Sequence, residues 1–459
     1  MKNIKKIIEN QRKFFATGTT FSLDFRLQQL KKLREILENH EAEIVAALQK
    51  DLHKHPSETL LHEVMILMNE LRYTIKNLKK WAHTSRTRTP FPLMWPGKST
   101  ISYEPHGCAL IIGAWNFPLL LTLLPLIGAM SAGNCCIVKP SEIAIHTQSL
   151  IQKLISAYFP PEYIAVITAD ANEMENVLSE KYDYIFFTGS ARIGKKILAG
   201  AAQHLTPVTL ELGGKSPCII DESANIPFAA QRIIWGKFLN AGQTCIAPDY
   251  LYVHESRKTE LIEQLIKTLI KFYGQDAKQS DCYGRIINQT HLQRLKLLLQ
   301  SGEILFGGAV CDETRYIAPT LIDDISWQDA IMQEEIFGPL LPILTFNHVD
   351  QVIKEVNQHP QPLALYLFTQ NKQHEKKIIK QIAFGTGCIN DCIMQIANHY
   401  LPFGGVGQSG MGKYHGKTSF ETFSQRKSIY KKNTLVHIKW PYPPHTKNKL
   451  WWLRKLLRF

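Results

Sequence analysis

The sequence predicts an α/β fold, and three observations carry that prediction. From Gly107 to Val138 the chain has no Asp, Glu, Lys or Arg, yet glycines, prolines and asparagines cut the run into strand-sized pieces. Short apolar strands then alternate with amphipathic helices as far as residue 212, and a second series of helices and strands follows to about Asn398. Strands that read as continuous apolar runs are buried on both faces, as in a parallel sheet covered by helices.

The elements fall in order. Residues 1–82 read as helical, with Leu23, Leu27, Leu30, Leu33 and Leu37 recurring at spacings of three and four, so an amphipathic bundle is expected to cover something. Thr, Pro and Gly dominate 86–105, in Arg86-Thr87-Arg88-Thr89-Pro90-Phe91-Pro92 and Trp95-Pro96-Gly97, which fits an extended hairpin. The uncharged run is long enough to raise the question of a membrane span. Pro118, Pro125, Gly113, Gly128, Gly133, Asn116 and Asn134 break it into a strand at Cys108–Ile112, a turn, a short helix and a strand at 135–138. Further strands are expected at 164–168, Tyr184–Thr188 (followed by a helix to about Gln203) and 208–212, which makes the first sheet that of a nucleotide-binding α/β domain. The second series ends in the glycine-rich loop Pro402-Phe403-Gly404-Gly405-Val406-Gly407, and no internal repeat is found.

With 459 residues, 45 % of them apolar and 20 % charged, the chain is too long for one core and too apolar for disorder; two large domains are expected. It opens Met1-Lys2-Asn3-Ile4-Lys5-Lys6 without the apolar stretch of a secretory signal, so an intracellular, cytoplasmic protein is expected. Nine cysteines, with Cys135 and Cys136 adjacent and no Cys-x-x-Cys, form neither a disulfide framework nor a zinc knuckle. The 17 histidines show no pairing at ligand spacing, and no metal is assigned. The net charge of +13 lies in the tail: no acidic residue follows Glu421, and ten Lys or Arg do. The body, with 43 basic and 40 acidic residues, is nearly neutral, and no nucleic-acid partner is assigned.

Three places carry chemistry. In Phe187-Thr188-Gly189-Ser190-Ala191-Arg192-Ile193-Gly194 a strand turns through glycine into a helix, whose free N–H groups suit a diphosphate. On its own that signal is weak and is more often plain connectivity. Cys245 closes Gly242-Gln243-Thr244-Cys245, a small-residue turn, where an inert thiol is favoured about ten to one until its environment is known. Glu211, in Leu210-Glu211-Leu212-Gly213-Gly214-Lys215, is a carboxylate at the end of a buried strand, costly there unless partnered or functional.

Together with Trp115-Asn116-Phe117-Pro118, Lys139-Pro140-Ser141-Glu142, Glu334-Glu335-Ile336-Phe337-Gly338-Pro339 and Pro402-Phe403-Gly404-Gly405, these blocks stand in the order and spacing of the aldehyde dehydrogenase superfamily. Seven blocks across some 290 residues resemble its class 3, or fatty aldehyde, branch most, as do Ala247-Pro248-Asp249-Tyr250 and Gly405-Val406-Gly407-Gln408-Ser409-Gly410-Met411-Gly412. The resemblance covers all but the last twenty or so residues. It implies a Rossmann-like NAD(P)-binding domain (1–85 and 106–211), an α/β catalytic domain (212–398), oligomerisation segments (86–105 and 399–430) and a basic tail (431–459).

It also implies roles. Cys245 is the nucleophile that forms a thiohemiacetal, Asn116 and the Cys245 N–H stabilise the oxyanion, and Glu211 is the base for thioester hydrolysis. Lys139 and Glu142 match residues that hold the adenosine ribose, Gly189 and Ser190 the diphosphate turn, and Glu335 the nicotinamide ribose, with Phe337 beside it also given to the cofactor. The cofactor expected is NAD, with NADP usable. Phe117, Trp235 and the segment 391–401 line the substrate funnel and suit an apolar aldehyde, aliphatic or aromatic. A homodimer is expected. Relatives that pass the thioester to coenzyme A generally lack the glutamate matching Glu211, and a catalytically dead, membrane-associated scaffold would lack Cys245, Glu211 or Asn116. At 450–459 a short helix gathers Arg454, Lys455 and Arg458 opposite Leu450, Trp452, Leu453, Leu456, Leu457 and Phe459. Two readings of it stay open: packing on protein, or peripheral contact with an anionic membrane surface.

Overall fold

The computed structural model describes residues 4–91, 94–170, 172–436 and 442–456. By internal contacts the chain divides into two compact units, residues 1–81 with 104–425 and residues 82–103 with 426–459.

The first unit holds two large sheets and a two-stranded ribbon, Val310–Cys311 paired with Tyr316–Ile317. One has six strands in the spatial order Gly410–Met411, Val208–Glu211, Tyr184–Thr188, Cys108–Ile112, Cys135–Lys139, Ile164–Val166. All neighbours are parallel except Gly410–Met411, which runs antiparallel to Val208–Glu211 with Gly410 opposite Glu211. The expected strands at 164–168 and 208–212 end at Val166 and Glu211, and that at 135–138 runs on to Lys139. From Cys108–Ile112 the chain winds outward first to one side, through Cys135–Lys139 and Ile164–Val166, and then to the other, through Tyr184–Thr188 and Val208–Glu211. That reversal opens a crevice at the carboxyl ends of the strands, where open α/β sheets bind ligands. Asn116, Ser141 and Ser190 all follow strands that end there.

The second sheet has seven strands in the order Glu303–Phe306, Thr320–Asp323, Leu340–Phe346, Tyr250–His254, Pro217–Ile220, Ala364–Phe368, Thr386–Ile389. Only the Glu303–Phe306 edge is antiparallel to its neighbour. Helix Ile226–Phe238 begins with Asn225 accepting from Phe228 N–H and carries its buried face, Ile226, Ala229, Ala230, Ile233 and Ile234, down to the cysteine turn.

The N-terminal region is helical as its periodicity requires: Ile4–Ala16, Leu23–Asn39, Glu41–Leu52, Pro56–Thr59 and Met65–Trp81, with one π-helical turn at Leu60–Val64. Leu30, Leu33 and Leu37 are buried at the expected spacing. The uncharged run becomes Cys108–Ile112 and the wholly buried helix Leu120–Ala132, which ends at Gly133 in the left-handed conformation.

In the second unit Ser85–Thr87 pairs antiparallel with Lys98–Pro105, the expected hairpin, and Ser424–Lys431 is the third strand of that sheet. Within the segment 399–430, Gly410–Met411 belongs to the six-stranded sheet and residues from Arg426 onward belong to the smaller unit. Helix Lys447–Leu456 lies in the tail with Leu450, Trp451 and Trp452 exposed. Leu457, Arg458 and Phe459, also expected on it, lie outside the described residues. Among the described residues no helix is long and apolar enough to cross a membrane.

Candidate active site

Cys245 follows three successive residues with left-handed backbones, Asn240 (φ 52°), Ala241 (φ 51°) and Gly242 (φ 74°). Side-chain-bearing residues rarely take this conformation, at a cost of about 1–3 kcal/mol each, so other contacts must hold the turn. They come from far along the chain. Gln243 Nε2 donates to the carbonyls of Asn240 (3.0 Å) and Arg285 (3.0 Å), and its Oε1 accepts from Ile287 N–H (2.9 Å). Gly242 has to be glycine on two counts, its φ and the Gly338 carbonyl that a Cβ would strike.

Asn116 is buried and joined to this turn. Its Nδ2 donates to the Gln243 carbonyl at 3.1 Å, and its own carbonyl accepts from Asn240 Nδ2 at 2.8 Å. An amide nitrogen carries two N–H bonds. With one fixed on Gln243, the direction of the other is set, as an oxyanion donor must be.

Glu211, the last residue of its strand, is 2 % exposed, and neither of its carboxylate oxygens has a hydrogen-bond partner. Burial pushes its pKa well above the usual carboxylate range, against a smaller downward pull from Lys413. Lys413 Nζ itself donates to the carbonyls of Gly385 and Gly404. The Pro402 loop crosses this carboxylate so closely that a Cβ on Gly404 would meet Glu211 Oε1 at 2.7 Å. The Cys245 thiol is pushed up first by burial and then by Glu335 and Glu211, while the N–H groups of Cys245 and Ile246 pull it down. Sequence places these two carboxylates 34 and 90 residues from the cysteine; the fold brings both near enough to act on its ionisation.

Glu335 is half-buried, with its carboxylate against the Cα of Gly213, where any Cβ would collide. Burial and Asp249 raise its pKa to about 8, and the Gly214 N–H, Lys215 and Arg294 oppose the shift. Its loop is pinned on both sides. Asp249 Oδ1 accepts from Ile336 N–H (2.9 Å), Lys215 pairs with Asp249 and donates to the Glu334 carbonyl (3.1 Å), and Arg294 donates to the Ile336 carbonyl (2.6 Å). Phe337 (φ 48°) sits edge-on to Trp115 at 5.1 Å.

At the other end of the crevice Ser190 caps helix Ala191–Ala202, accepting from Ile193 N–H at 3.5 Å, and a Cβ on Gly189 would strike the Phe187 ring. The hydroxyl of Thr188 beside them is buried without a partner. Lys139 and Glu142, expected on a ribose, are paired with each other. An orphaned hydroxyl, an open helix N-terminus and a carboxylate cradled on glycine fit a dinucleotide laid along this edge.

Of the expected funnel residues, Phe117 is buried with the Lys54 ammonium 3.9 Å over its ring. Trp235 is half-buried between His62 (5.8 Å) and the Arg232 guanidinium (4.5 Å), and Arg232 pairs with Asp391. Lys54, Glu63, Gln243 and Asn240 were not assigned roles from sequence. Gln243 lay inside a quoted motif, whereas nothing local marks Lys54 or Glu63. One group of possible metal-ligating side chains gathers among the described residues, Asp221, Glu222 and His374. Asp221 already accepts from Ser223, Thr369 and His374, so it is satisfied without an ion.

Fold and site together define an α/β enzyme of the dinucleotide-dependent kind, with a thiol whose ionisation Glu211, at the end of a strand of the six-stranded sheet, opposes. The aldehyde dehydrogenase family model matches residues 1–429, and the chain belongs to that family of oxidoreductases. It is 46 % identical over 447 residues to the 4,4'-diaponeurosporen-aldehyde dehydrogenase of Staphylococcus aureus, covering 97 % of each chain. To the dimeric NADP-preferring aldehyde dehydrogenase of Canis lupus familiaris it is 42 % identical (97 % of this chain, 98 % of that one). Aldehyde dehydrogenase family 3 member A2 of Mus musculus gives 42 % (97 % and 92 %), in keeping with the class 3 branch. The substrate-bound structure of Staphylococcus aureus AldH superposes with a TM-score of 0.97 at 45 % identity, covering 100 % of both chains.

Proposed function

We propose that this protein oxidises an apolar aldehyde to the carboxylic acid through a thioester on Cys245, with water as the acyl acceptor. The observation that carries the hydrolytic reading is Glu211, a buried carboxyl with both oxygens unpartnered and near enough to the thiol to raise its pKa. A general base has to keep an oxygen free for the proton it takes. Cys245 adds to the aldehyde carbon as the thiolate, and the free N–H of Asn116 with the Cys245 N–H takes the charge that develops on oxygen; one such donor contributes about 3 kcal/mol. NAD(P), when bound, would supply the hydride acceptor for the tetrahedral adduct held on Cys245. Glu211 then draws a proton from water as it attacks the thioester, and Cys245 leaves as the thiolate.

Ser190 and the helix it caps would hold the diphosphate, Lys139 and Glu142 the adenosine ribose, and Glu335 and Phe337 the nicotinamide end. The six-stranded sheet with residues 1–85 forms the cofactor half and 212–398 the thiol half. An apolar substrate agrees with Phe117 and Trp235 and with the aldehyde named for the Staphylococcus aureus relative. The dimeric relative supports a homodimer. The exposed Trp451 and Trp452, with Lys455 over both rings at 5.1 and 5.6 Å, support the membrane-surface reading of the tail.

The deciding experiment is NAD(P)H formation from a medium-chain aldehyde by the wild type and by Cys245→Ala, each with and without coenzyme A. Wild-type turnover independent of coenzyme A and none from the variant is expected. Residual turnover above about 5 % of wild type would rule out the thiol pathway, and dependence on coenzyme A would rule out water as acceptor.

A further inference from the structure

Lys54 and Glu63 form an ion pair in the interior, 1 % and 0 % exposed, at 2.6 Å. Lys54 lies just past helix Glu41–Leu52, and Glu63 lies on the π-helical turn Leu60–Val64. Such turns often mark functional sites because they redirect a side chain. Each partner also reaches the segment that carries Asn116. Glu63 Oε2 accepts from the N–H groups of Leu119 (2.9 Å) and Leu120 (3.1 Å), capping helix Leu120–Ala132, whose own N-cap residue, Leu119, has no side chain able to do so. Lys54 Nζ donates to the Asn116 carbonyl at 3.0 Å and lies over the Phe117 ring.

The Asn116 carbonyl thus takes two donors, Lys54 from one side and Asn240 Nδ2 from the other, and Asn240 Nδ2 also reaches the Gln243 carbonyl on which Asn116 Nδ2 rests. Burial pushes the carboxyl of Glu58, between the paired residues in sequence, up to about 7, against the opposing pull of Lys54 and of the Asn240 N–H. This closed circuit fixes both the peptide and the amide of Asn116. A buried ion pair adds little stability over well-packed apolar side chains, so stability alone is a weak reason for this one. Errors of about 1 Å in a reacting group cost about 100-fold in rate.

We propose that Lys54 and Glu63 are positioning residues that aim the free N–H of Asn116 at the oxyanion, a role that rests on the Cys245 reading above. The test compares wild type, Lys54→Met/Glu63→Gln, which removes both charges together, and Glu63→Gln alone, which keeps an acceptor for the helix N-terminus. Four quantities are read: kcat, aldehyde KM, NAD affinity by fluorescence, and the rate at which iodoacetamide alkylates Cys245, a reaction that needs no oxyanion donor.

The double variant should lose about 100-fold in kcat and Glu63→Gln about tenfold, while NAD affinity and alkylation stay within about threefold. Lys54→Arg, which keeps donors for both oxygens, should retain at least about a tenth of wild-type kcat. Should the double variant fail to fold, Glu63→Gln and Lys54→Arg decide by the same readings. A kcat within about threefold of wild type in the folded variants, or a loss of alkylation equal to the loss of kcat, overturns the positioning role. A wild type that oxidises no aldehyde removes the Cys245 reading and this role with it. An active wild type beside unaffected variants removes this role alone.

Discussion

Glu63 and Glu211 are both buried carboxylates, 0 % and 2 % exposed, and the fold treats them in opposite ways. Glu63 is saturated by an ammonium and two helix N–H groups. Glu211 has none of these, only the more distant charge of Lys413, two of whose three donors are engaged by the Gly385 and Gly404 carbonyls. An unpartnered carboxylate in the interior is expensive and escapes the cost by holding its proton. The saturated group holds parts together; the unpartnered one is the carboxyl proposed above as the base. Hydrogen-bond saturation thus separates two acids that burial alone would class together.

The largest effect expected from this contrast is that of Glu211→Gln. Removing a general base typically slows its step by about 10²–10⁴-fold, and in the proposed mechanism that step follows hydride transfer, so a stopped-flow burst of NADH should survive while steady turnover collapses. An unchanged steady rate would take Glu211 out of the mechanism. Next comes Glu63→Ala, which strands the Lys54 ammonium in the interior and should lower unfolding free energy by about 3–5 kcal/mol in chemical denaturation, whereas Glu211→Gln should be neutral or stabilising there. Equal losses in the two would erase the distinction.

The third prediction concerns pH. The native state holds the Glu211 proton above the ordinary carboxylate range, so this group's contribution to stability is fully present below its unfolded pKa and declines as pH rises toward its folded one. The base works only when ionised, so hydrolysis-limited kcat should climb with pH, by up to about tenfold per unit while the group is mostly protonated, and Glu211→Gln should flatten the profile. A flat wild-type profile counts against the assignment. The smallest effect belongs to a third kind of carboxylate, Glu142, which is part-exposed and paired with Lys139. NAD should be preferred, with the Lys139 charge limiting rejection of the 2'-phosphate to less than about tenfold. A ratio of kcat/KM favouring NADP by about tenfold, or 1.4 kcal/mol, would mean that Glu142 faces elsewhere.

Much of the first sheet could be read from sequence because its signals are local. Cys108–Ile112 and Tyr184–Thr188 are uninterrupted apolar runs, and Glu211 stands out as an acid at the end of one. Gly410–Met411 could not be read, since two residues carry no periodicity and the strand exists only through its pairing with Glu211 and Leu210. Lys54 and Glu63 were hidden for a related reason. In Leu52-His53-Lys54-His55-Pro56 and Leu61-His62-Glu63-Val64 each looks like an ordinary surface charge, and the partners that make burial tolerable are Asn116 and Leu119, some sixty residues on.

The turn before Cys245 also bears on how the molecule becomes active. Its three left-handed residues are kept in place by Asn116, Arg285, Ile287 and the close approach of Gly338, so the segments that define it span more than two hundred positions of the chain. A fragment around Cys245 lacks them and would relax to an ordinary conformation. Contacts so remote in sequence form late, after both sheets have assembled and docked. The thiol of a refolding chain should therefore behave as an ordinary cysteine, and recovery of activity should lag behind recovery of secondary structure.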